Sequence, residues 1–514
     1  MLAIKSDEMQ MIDQYMIEKI GLSSLVLMEN ASKTVVDEII NRFPLNSCSG
    51  KSIVVLCGTG NNGGDGLCVS RWLRNKGYTV STIIVGNVDK LSGDVKKQYE
   101  LLLQLDKLRN EEMVFSYLDC DMENLLKQSD IIIDGLIGTG CHRTLSEELL
   151  KVVEIVNQCK SYILSIDIPT GINADNGKIM GDAVRANSTI TFCLPKLGLL
   201  LNPGSECVGE LVVTDIGIFE EALETLENPV QVLDFTTLLE NKNLGRFKRK
   251  QYSHKGTFGT VGIIAGDKNM LGATVLAAKA AYRTGAGLVK IFIEEDYSSF
   301  VISSIPECVV VSYDNANSRE SFDHEIENFV FGCDAIVIGP GLSRSLKARH
   351  MVQKVLELDT KVVLDADALN IISEHLEWFE ERVAQTIITP HIGEMARLTG
   401  YSGAAISENT LQFAEAFSDK YKVCTVLKSA RTIIVSKELK RFINLAGNSG
   451  LATAGSGDVL SGVIAGLLAQ GYNQEESAVF GVLLHSVAGD MYVKDNDEHS
   501  LIASDIIENL WRNI

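Results

Sequence analysis

The chain has 514 residues, 46% hydrophobic, 22% charged and 6% aromatic, with a formal net charge of -20. That length exceeds what one hydrophobic core sustains, about 250–300 residues, so two domains are expected. The acidic balance excludes a protein held on nucleic acid by a basic surface, and no apolar run reaches the roughly 18 residues that would span a membrane.

Eleven cysteines are scattered singly, among them Cys48, Cys57, Cys68, Cys193 and Cys424, without a Cys-x-x-Cys pair of zinc or redox spacing. Most therefore read as small buried hydrophobes. The opening Met1-Leu2-Ala3-Ile4-Lys5-Ser6-Asp7-Glu8 lacks a basic stretch followed by an apolar run, and a reducing, cytoplasmic location is expected.

Short β-branched runs that end in glycine-rich turns and pass into helical patterns recur along the chain, which predicts a parallel α/β architecture. In the first half, strands are expected at residues 52–57, 131–134, 162–167 and 190–194. The first runs into Cys57-Gly58-Thr59-Gly60-Asn61-Asn62-Gly63-Gly64-Asp65-Gly66, ahead of a helix expected at 67–76. Glycines let the backbone approach a ligand, and free N–H groups of a first helical turn favour an anion. The segment reads as a phosphate cradle or, more plainly, as a tight strand-to-helix turn. The next two strands end in Asp134-Gly135-Leu136-Ile137-Gly138-Thr139-Gly140 and Asp167-Ile168-Pro169-Thr170-Gly171, each placing a carboxylate where a parallel strand stops. Loops at such strand ends converge on one crevice.

Residues 219–243 are charged, leucine-spaced and poor in glycine, and the basic Arg246-Phe247-Lys248-Arg249-Lys250 follows. A boundary near residue 225 is expected, giving domains 1–225 and 226–514. In the second, strands are expected at 260–265, 335–338, 361–364, 386–389 and 423–427, with a small-residue helix from Gly272 to Ala281 after the first. The later strands close on Gly339-Pro340-Gly341-Leu342, Leu364-Asp365-Ala366-Asp367-Ala368-Leu369 and Thr389-Pro390-His391-Ile392-Gly393-Glu394.

The most informative stretch is Gly447-Asn448-Ser449-Gly450-Leu451-Ala452-Thr453-Ala454-Gly455-Ser456-Gly457-Asp458, which opens an apolar helix expected at 459–470. N–H groups at that helix start would stabilise charge developing on a transferring phosphoryl group, with Asp458 beside it to accept a hydroxyl proton. The alternative is that Asp458 only favours the helix dipole. Equally, His391 could be a hydrogen-bonded loop residue, Asp167 could cap its turn, and Asp365 and Asp367 could either bind magnesium through water or stabilise turns.

Carrying these motifs, residues 1–220 resemble the epimerase domain of NAD(P)H-hydrate repair enzymes, and residues 245–510 resemble the ADP-dependent NAD(P)H-hydrate dehydratases. The resemblance implies an α/β protein of two domains, an N-terminal Rossmann-like three-layer domain and a C-terminal ribokinase-like domain. It implies that Asn61, Asn62, Gly63, Gly64, Asp65, Gly138, Thr139, Gly140, Cys141, His142, Arg143 and Thr144 contact the hydrate in the epimerase. Asp167 would lie against the reacting ring as the base, and Asn62, Asp134 and Thr170 would give oxygens to potassium. In the dehydratase it makes Ala273, Gly341, His391 and Asp458 hydrate contacts, and gives the nucleotide to Lys428, Ser429, Ala430, Arg431, Thr432 and Gly457. Ser429 stands where the family usually has glycine.

The implied reactions are epimerisation of R and S NAD(P)H-hydrate and ADP-dependent dehydration of the S form, giving AMP and phosphate. Potassium and magnesium are the implied ions, NADHX and NADPHX the implied substrates, and a homo-oligomer without nucleic-acid or membrane partners the implied state. Two other readings are open: a small-molecule kinase acting on a vitamin precursor or sugar, and a non-catalytic N-terminal nucleotide-binding module. Scaffolding domains of RNA-decay factors share the N-terminal pattern but usually lose the acidic ligands, whereas Asp65, Asp134 and Asp167 are all present here.

Overall fold

The computed structural model describes residues 1–45, 51–118, 120–240, 251–314, 318–380, 382 and 384–512. The chain forms two compact units, Leu2–Pro229 and Val230–Ile514. The basic segment 246–250 lies outside the described residues.

The N-terminal unit is built on strands β1 (Ser52–Cys57), β2 (Thr79–Ile84), β3 (Val114–Ser116), β4 (Ile131–Gly135), β5 (Tyr162–Ile166), β6 (Ser188–Phe192) and β7 (Glu210–Thr214). They pair in the order β3-β2-β1-β4-β5-β6-β7, every pairing parallel. Strand order reverses between β1 and β4, so the loops after these two strands part and leave a crevice. The inner strands are apolar on both faces because helices cover both: Val55, Ile133 and Ile166 face one core, Val54, Ile132 and Ile163 the other.

Two expectations shift. The helix expected at 67–76 is Asn61–Asn75, beginning six residues before the expected 67, because its glycines serve packing. A Cβ at Gly63 would stand 1.9 Å from the Gly58 carbonyl oxygen, so the first turn sits directly on its own loop. Strand β6 ends at Phe192, before the expected 194: Cys193 takes φ 65, and Leu194 N–H turns back to the Phe192 carbonyl at 2.8 Å.

The C-terminal unit carries β8 (Val230–Leu233), β9 (Thr260–Ile264), β10 (Leu288–Glu294), β11 (Val309–Tyr313), β12 (Ala335–Ile338), β13 (Val362–Leu364), β14 (Thr386–Ile388), β15 (Cys424–Leu427), β16 (Ile433–Val435) and β17 (Arg441–Asn444). Their order is β8-β17-β16-β15-β14-β13-β12-β9-β10-β11, parallel except where β16 meets β15 and β17. The switch in direction falls between β9 and β12, which pair in parallel from Val261↔Ala335 to Ile264↔Ile338. Of residues 219–243, those described, 219–240, include the short helix Glu220–Leu223 and β8, an apolar strand of the C-terminal sheet.

Above this sheet the helices Leu271–Thr284 and Ser456–Ala469 pack backbone to backbone. Small residues make that approach possible: a Cβ at Gly462 would meet the Ala277 carbonyl oxygen at 2.2 Å, and one at Gly466 the Ala281 oxygen at 3.1 Å. The helix expected at 459–470 starts at Ser456, which puts Asp458 inside its first turn. Gly462→Ala should therefore force the helices apart and cost about 1–3 kcal/mol. Gly272→Ala, with open space around its Cβ, should be close to neutral. Urea unfolding of the two variants checks this; equal midpoints would show that the close approach contributes nothing.

Candidate active sites

In the N-terminal unit a cavity of about 630 Å³ opens over the ends of β1, β4 and β5. Gly58, Thr59, Gly60, Asn61, Asn62 and Asp65 line it from the first loop and helix, Gly138, Thr139 and Gly140 from the second loop, and Asp167 from the third. Gly63, Gly64, Cys141, His142, Arg143 and Thr144 are not among its lining residues; Gly64 packs against Met28 and Cys141 is buried. The helix Ser6–Tyr15 closes another side with Met9, Gln10 and Asp13. It is held there by pairing of Ile4 with Pro195 and Leu197 and by Asp175, which accepts the Ser6 N–H at 2.7 Å.

Asp134 is fully buried beneath the cavity floor. Its Oδ2 accepts the Thr170 N–H and the Ser165 hydroxyl, both at 2.9 Å; its Oδ1 accepts the Thr170 hydroxyl at 2.6 Å and the Leu136 N–H at 3.2 Å. Burial raises its pKa, while the Thr170 and Ser165 bonds oppose the rise. Asn62 is 8% exposed, and its buried Nδ2 has no protein partner.

Asp167 sits in left-handed backbone, φ 63, which aims its carboxylate at Lys196. Lys196 Nζ, 1% exposed, lies 2.6 Å from Asp167 Oδ1 and also reaches Thr191 Oγ1 and the Phe192 carbonyl. Two more carboxylates share this one cation. Burial, with the charges of Asp167 and Asp13, holds Asp65 well above the usual range, and burial pushes Asp13 to about 6 with Lys196 opposing. Sequence reasoning missed both Lys196 and Asp13. The available signals were a lysine inside the apolar run Phe192 to Leu201 and an aspartate on the apolar side of an amphipathic helix.

In the C-terminal unit the predicted site residues gather at the carboxyl ends of β9, β12, β13, β14 and β15. Gly341, φ +60, comes so close to the helix Leu271–Thr284 that a Cβ there would meet Met270 at 2.8 Å and Ala273 at 3.3 Å. His391 caps the helix Ile392–Thr399: its Nδ1 accepts the Gly393 and Glu394 N–H groups, and Glu394 returns a bond to the His391 N–H at 2.8 Å. Its proton on Nε2 faces Glu394 Oε1 at 3.4 Å. The neighbouring strand end carries Lys428, whose N–H binds the Pro390 carbonyl at 2.8 Å.

Asp365, 1% exposed, ties these pieces together. Its Oδ1 accepts Lys428 Nζ at 2.8 Å and the Ala366 N–H at 2.9 Å, and its Oδ2 accepts the Ser461 hydroxyl at 2.5 Å from the helix Ser456–Ala469. Asp367 accepts the Ser343 N–H at 2.9 Å. Both acids thus accept hydrogen bonds from the turns around them.

Lys428 Nζ lies under the first turn of that helix, 3.3 Å from a Cβ placed on Gly457. Burial works against its charge, but Asp365 and Glu394 outweigh that and raise its pKa. Asp458 stands beside it. Burial, reinforced by Asp365 and opposed by Lys428, lifts Asp458 to about 7. The buried His485, pushed down to about 4 by burial and therefore neutral, bonds Ser456 through Nε2 and fixes the same turn. The loop from Lys428 to Thr432 is closed on itself: the Ser429 hydroxyl donates to the Arg431 carbonyl at 2.7 Å, and Arg431 reaches the Leu445 carbonyl at 3.0 Å.

Residues 261–512 match the family described as NAD(P)H-hydrate dehydratase, and residues 24–198 the family described as YjeF-related protein N-terminus. The bifunctional NAD(P)H-hydrate repair enzyme of Moorella thermoacetica is 33% identical over 99% of this chain and 96% of its own length. That of Thermofilum pendens is 34% identical over 99% and 95%. The crystal structure of ADP/ATP-dependent NAD(P)H-hydrate dehydratase from Bacillus subtilis, co-crystallised with ATP/Mg2+, is 28% identical, covering 52% of this chain and 92% of that one, with a TM-score of 0.45. With relatives alike from end to end and a distinct site in each unit, this chain belongs to the family of bifunctional NAD(P)H-hydrate repair enzymes.

Proposed function

We propose that the N-terminal unit interconverts R and S NAD(P)H-hydrate at the Asp167 cavity, and that the C-terminal unit dehydrates the S form with ADP at the Asp458 turn. The observation that carries the second assignment is the position of Asp458 on the first turn of Ser456–Ala469, the turn that Lys428 Nζ underlies at Gly457. Hydroxide leaves poorly, whereas a phosphate ester leaves readily. As the β-phosphoryl group of ADP moves to the ring hydroxyl, Asp458 takes the hydroxyl proton and AMP departs. The N–H groups of the helix start and Lys428 hold the charge of the transferring group. The ring nitrogen's electron pair then expels phosphate, and loss of a ring proton restores the reduced nicotinamide. No strong protein acid is needed for that departure.

In this reading Gly341, Ala273 and His391 hold the hydrate, and the loop from Lys428 through Ser429, Ala430 and Arg431 to Thr432 holds the nucleotide with Gly457. Magnesium would be carried to this site on the phosphates of the nucleotide. Asn62, Asp134 and Thr170 would hold potassium in the N-terminal unit. Amide, carboxylate and hydroxyl oxygens are hard donors suited to such a cation, and the Thr170 hydroxyl would turn its proton away from Asp134. A cation there would add positive charge beneath the substrate's phosphates. Among the described residues no helix is long and apolar enough to cross a membrane. A cytoplasmic homo-oligomer acting on both NADHX and NADPHX completes the proposal.

Asp458→Asn should lower ADP-dependent recovery of reduced-nicotinamide absorbance by at least about 100-fold. Chromatography should find R and S interconversion unchanged. Loss of both activities would mean one shared site, and a wild-type protein that never restores the absorbance would indicate an ordinary small-molecule kinase. The pH dependence follows from the raised pKa. Because Asp458 must be ionised to accept a proton, dehydration should fall as pH drops through about 7. Lys428 lowers that pKa, so in Lys428→Met at saturating nucleotide the acid limb should move to higher pH. An unmoved limb would assign it to another group.

A further inference from the structure

The helix Ser6–Tyr15 buries Met9 and Ile12, and Asp13 shares a face with Met9 and Met16 at i, i+4 and i+7, a position the amphipathic pattern gives to the core. That face borders the N-terminal cavity, where Asp13 lies close enough to Lys196 and Asp167 for their charges to act on it. The same cavity is lined by Asn62, nine-tenths buried with its Nδ2 unpartnered, which leaves a polar group there for a ligand.

Water added to the reduced nicotinamide leaves a carbon bearing both a hydroxyl group and the ring nitrogen. Such a centre inverts by opening the ring. The hydroxyl loses its proton, the carbon–oxygen bond becomes a carbonyl, and the carbon–nitrogen pair returns to nitrogen, which takes up a proton. The carbonyl turns, nitrogen re-attacks its other face, and both proton transfers reverse. No electrons are gained or lost, but one group must accept a proton while a second donates one.

We infer that Asp13 is that second group: Asp167 takes the hydroxyl proton, Asp13 protonates the ring nitrogen, and each transfer is undone on closure. This rests on reading the cavity as the epimerase site. The division of labour follows from what faces each acid. Asp167 holds the ion pair with Lys196 at 2.6 Å. Asp13 faces Lys196, Asp167, Asp65 and the Cys193 thiol, and burial lets it keep a proton to about pH 6.

The test uses the full chain and a mixture of R and S hydrates. Asp13→Asn should slow interconversion at least about 100-fold, the size of a lost general acid. Hydrate affinity by calorimetry should stay within about threefold, Asp13→Glu should recover part of the rate, and the wild-type rate should fall at high pH while that of Asp13→Asn should not. A wild-type rate in Asp13→Asn overturns the inference, as does a slow variant whose alkaline limb is unchanged or that no longer binds the hydrate. If Asp167→Asn is inactive while Asp13→Asn is not, only Asp13 loses its role. If the wild type interconverts nothing, the reading of the cavity fails with it.

Discussion

Lys196 and Lys428 occupy corresponding places in the two units, each a buried or nearly buried cation at the carboxyl ends of parallel strands, and each is surrounded by more carboxylates than it can satisfy. Asp167, Asp13 and Asp65 act on the first; Asp365, Glu394 and Asp458 act on the second. One acid in each group takes the close ion pair, Asp167 at 2.6 Å and Asp365 at 2.8 Å. Taking charges out of water is costly, and a single ammonium cannot compensate three of them. The remaining acids therefore hold protons at pH values where an exposed aspartate would be ionised. Carboxylates with separated proton affinities are what acid–base chemistry near neutral pH requires.

This arrangement depends on packing remote from the charges. The helix carrying Asp458 can bring its first turn over Lys428 because Gly462 and Gly466 let it lie against the backbone of Leu271–Thr284, and because Ser461 bonds Asp365 on the sheet side. His485 pins the turn from a third direction. In the N-terminal unit, Asp13 reaches the cavity only because Ile4 pairs with the segment around Lys196, docking the first helix where the lysine leaves its strand.

Much of this was legible in the sequence, for physical reasons that also mark its limits. Strands buried on both faces write themselves as continuous β-branched runs, so β1, β4 and β12 were placed to within a residue. The strand-end aspartates and the Gly455-Ser456-Gly457-Asp458 element stood out because several of them recur at the carboxyl ends of parallel strands, where loops converge. The start of Asn61–Asn75 was misplaced because glycine content reads as a loop, whereas here close packing against Gly58 overrides helix propensity. Edge strands such as β3, with three residues, and the short β16 and β17 carry too little periodicity to be recognised. Lys196 and Asp13 went unseen because their meaning is a contact between distant segments, 183 positions apart, and a lone charge in an apolar stretch does not name its partner.

The most direct test of the account is diffraction from crystals soaked with ADP and hydrate. The terminal phosphorus should lie over the N–H groups of Gly457 and Asp458, with the Asp458 carboxylate turned toward the hydroxyl-bearing carbon. A phosphorus atom bound well away from Asp458 would contradict the account.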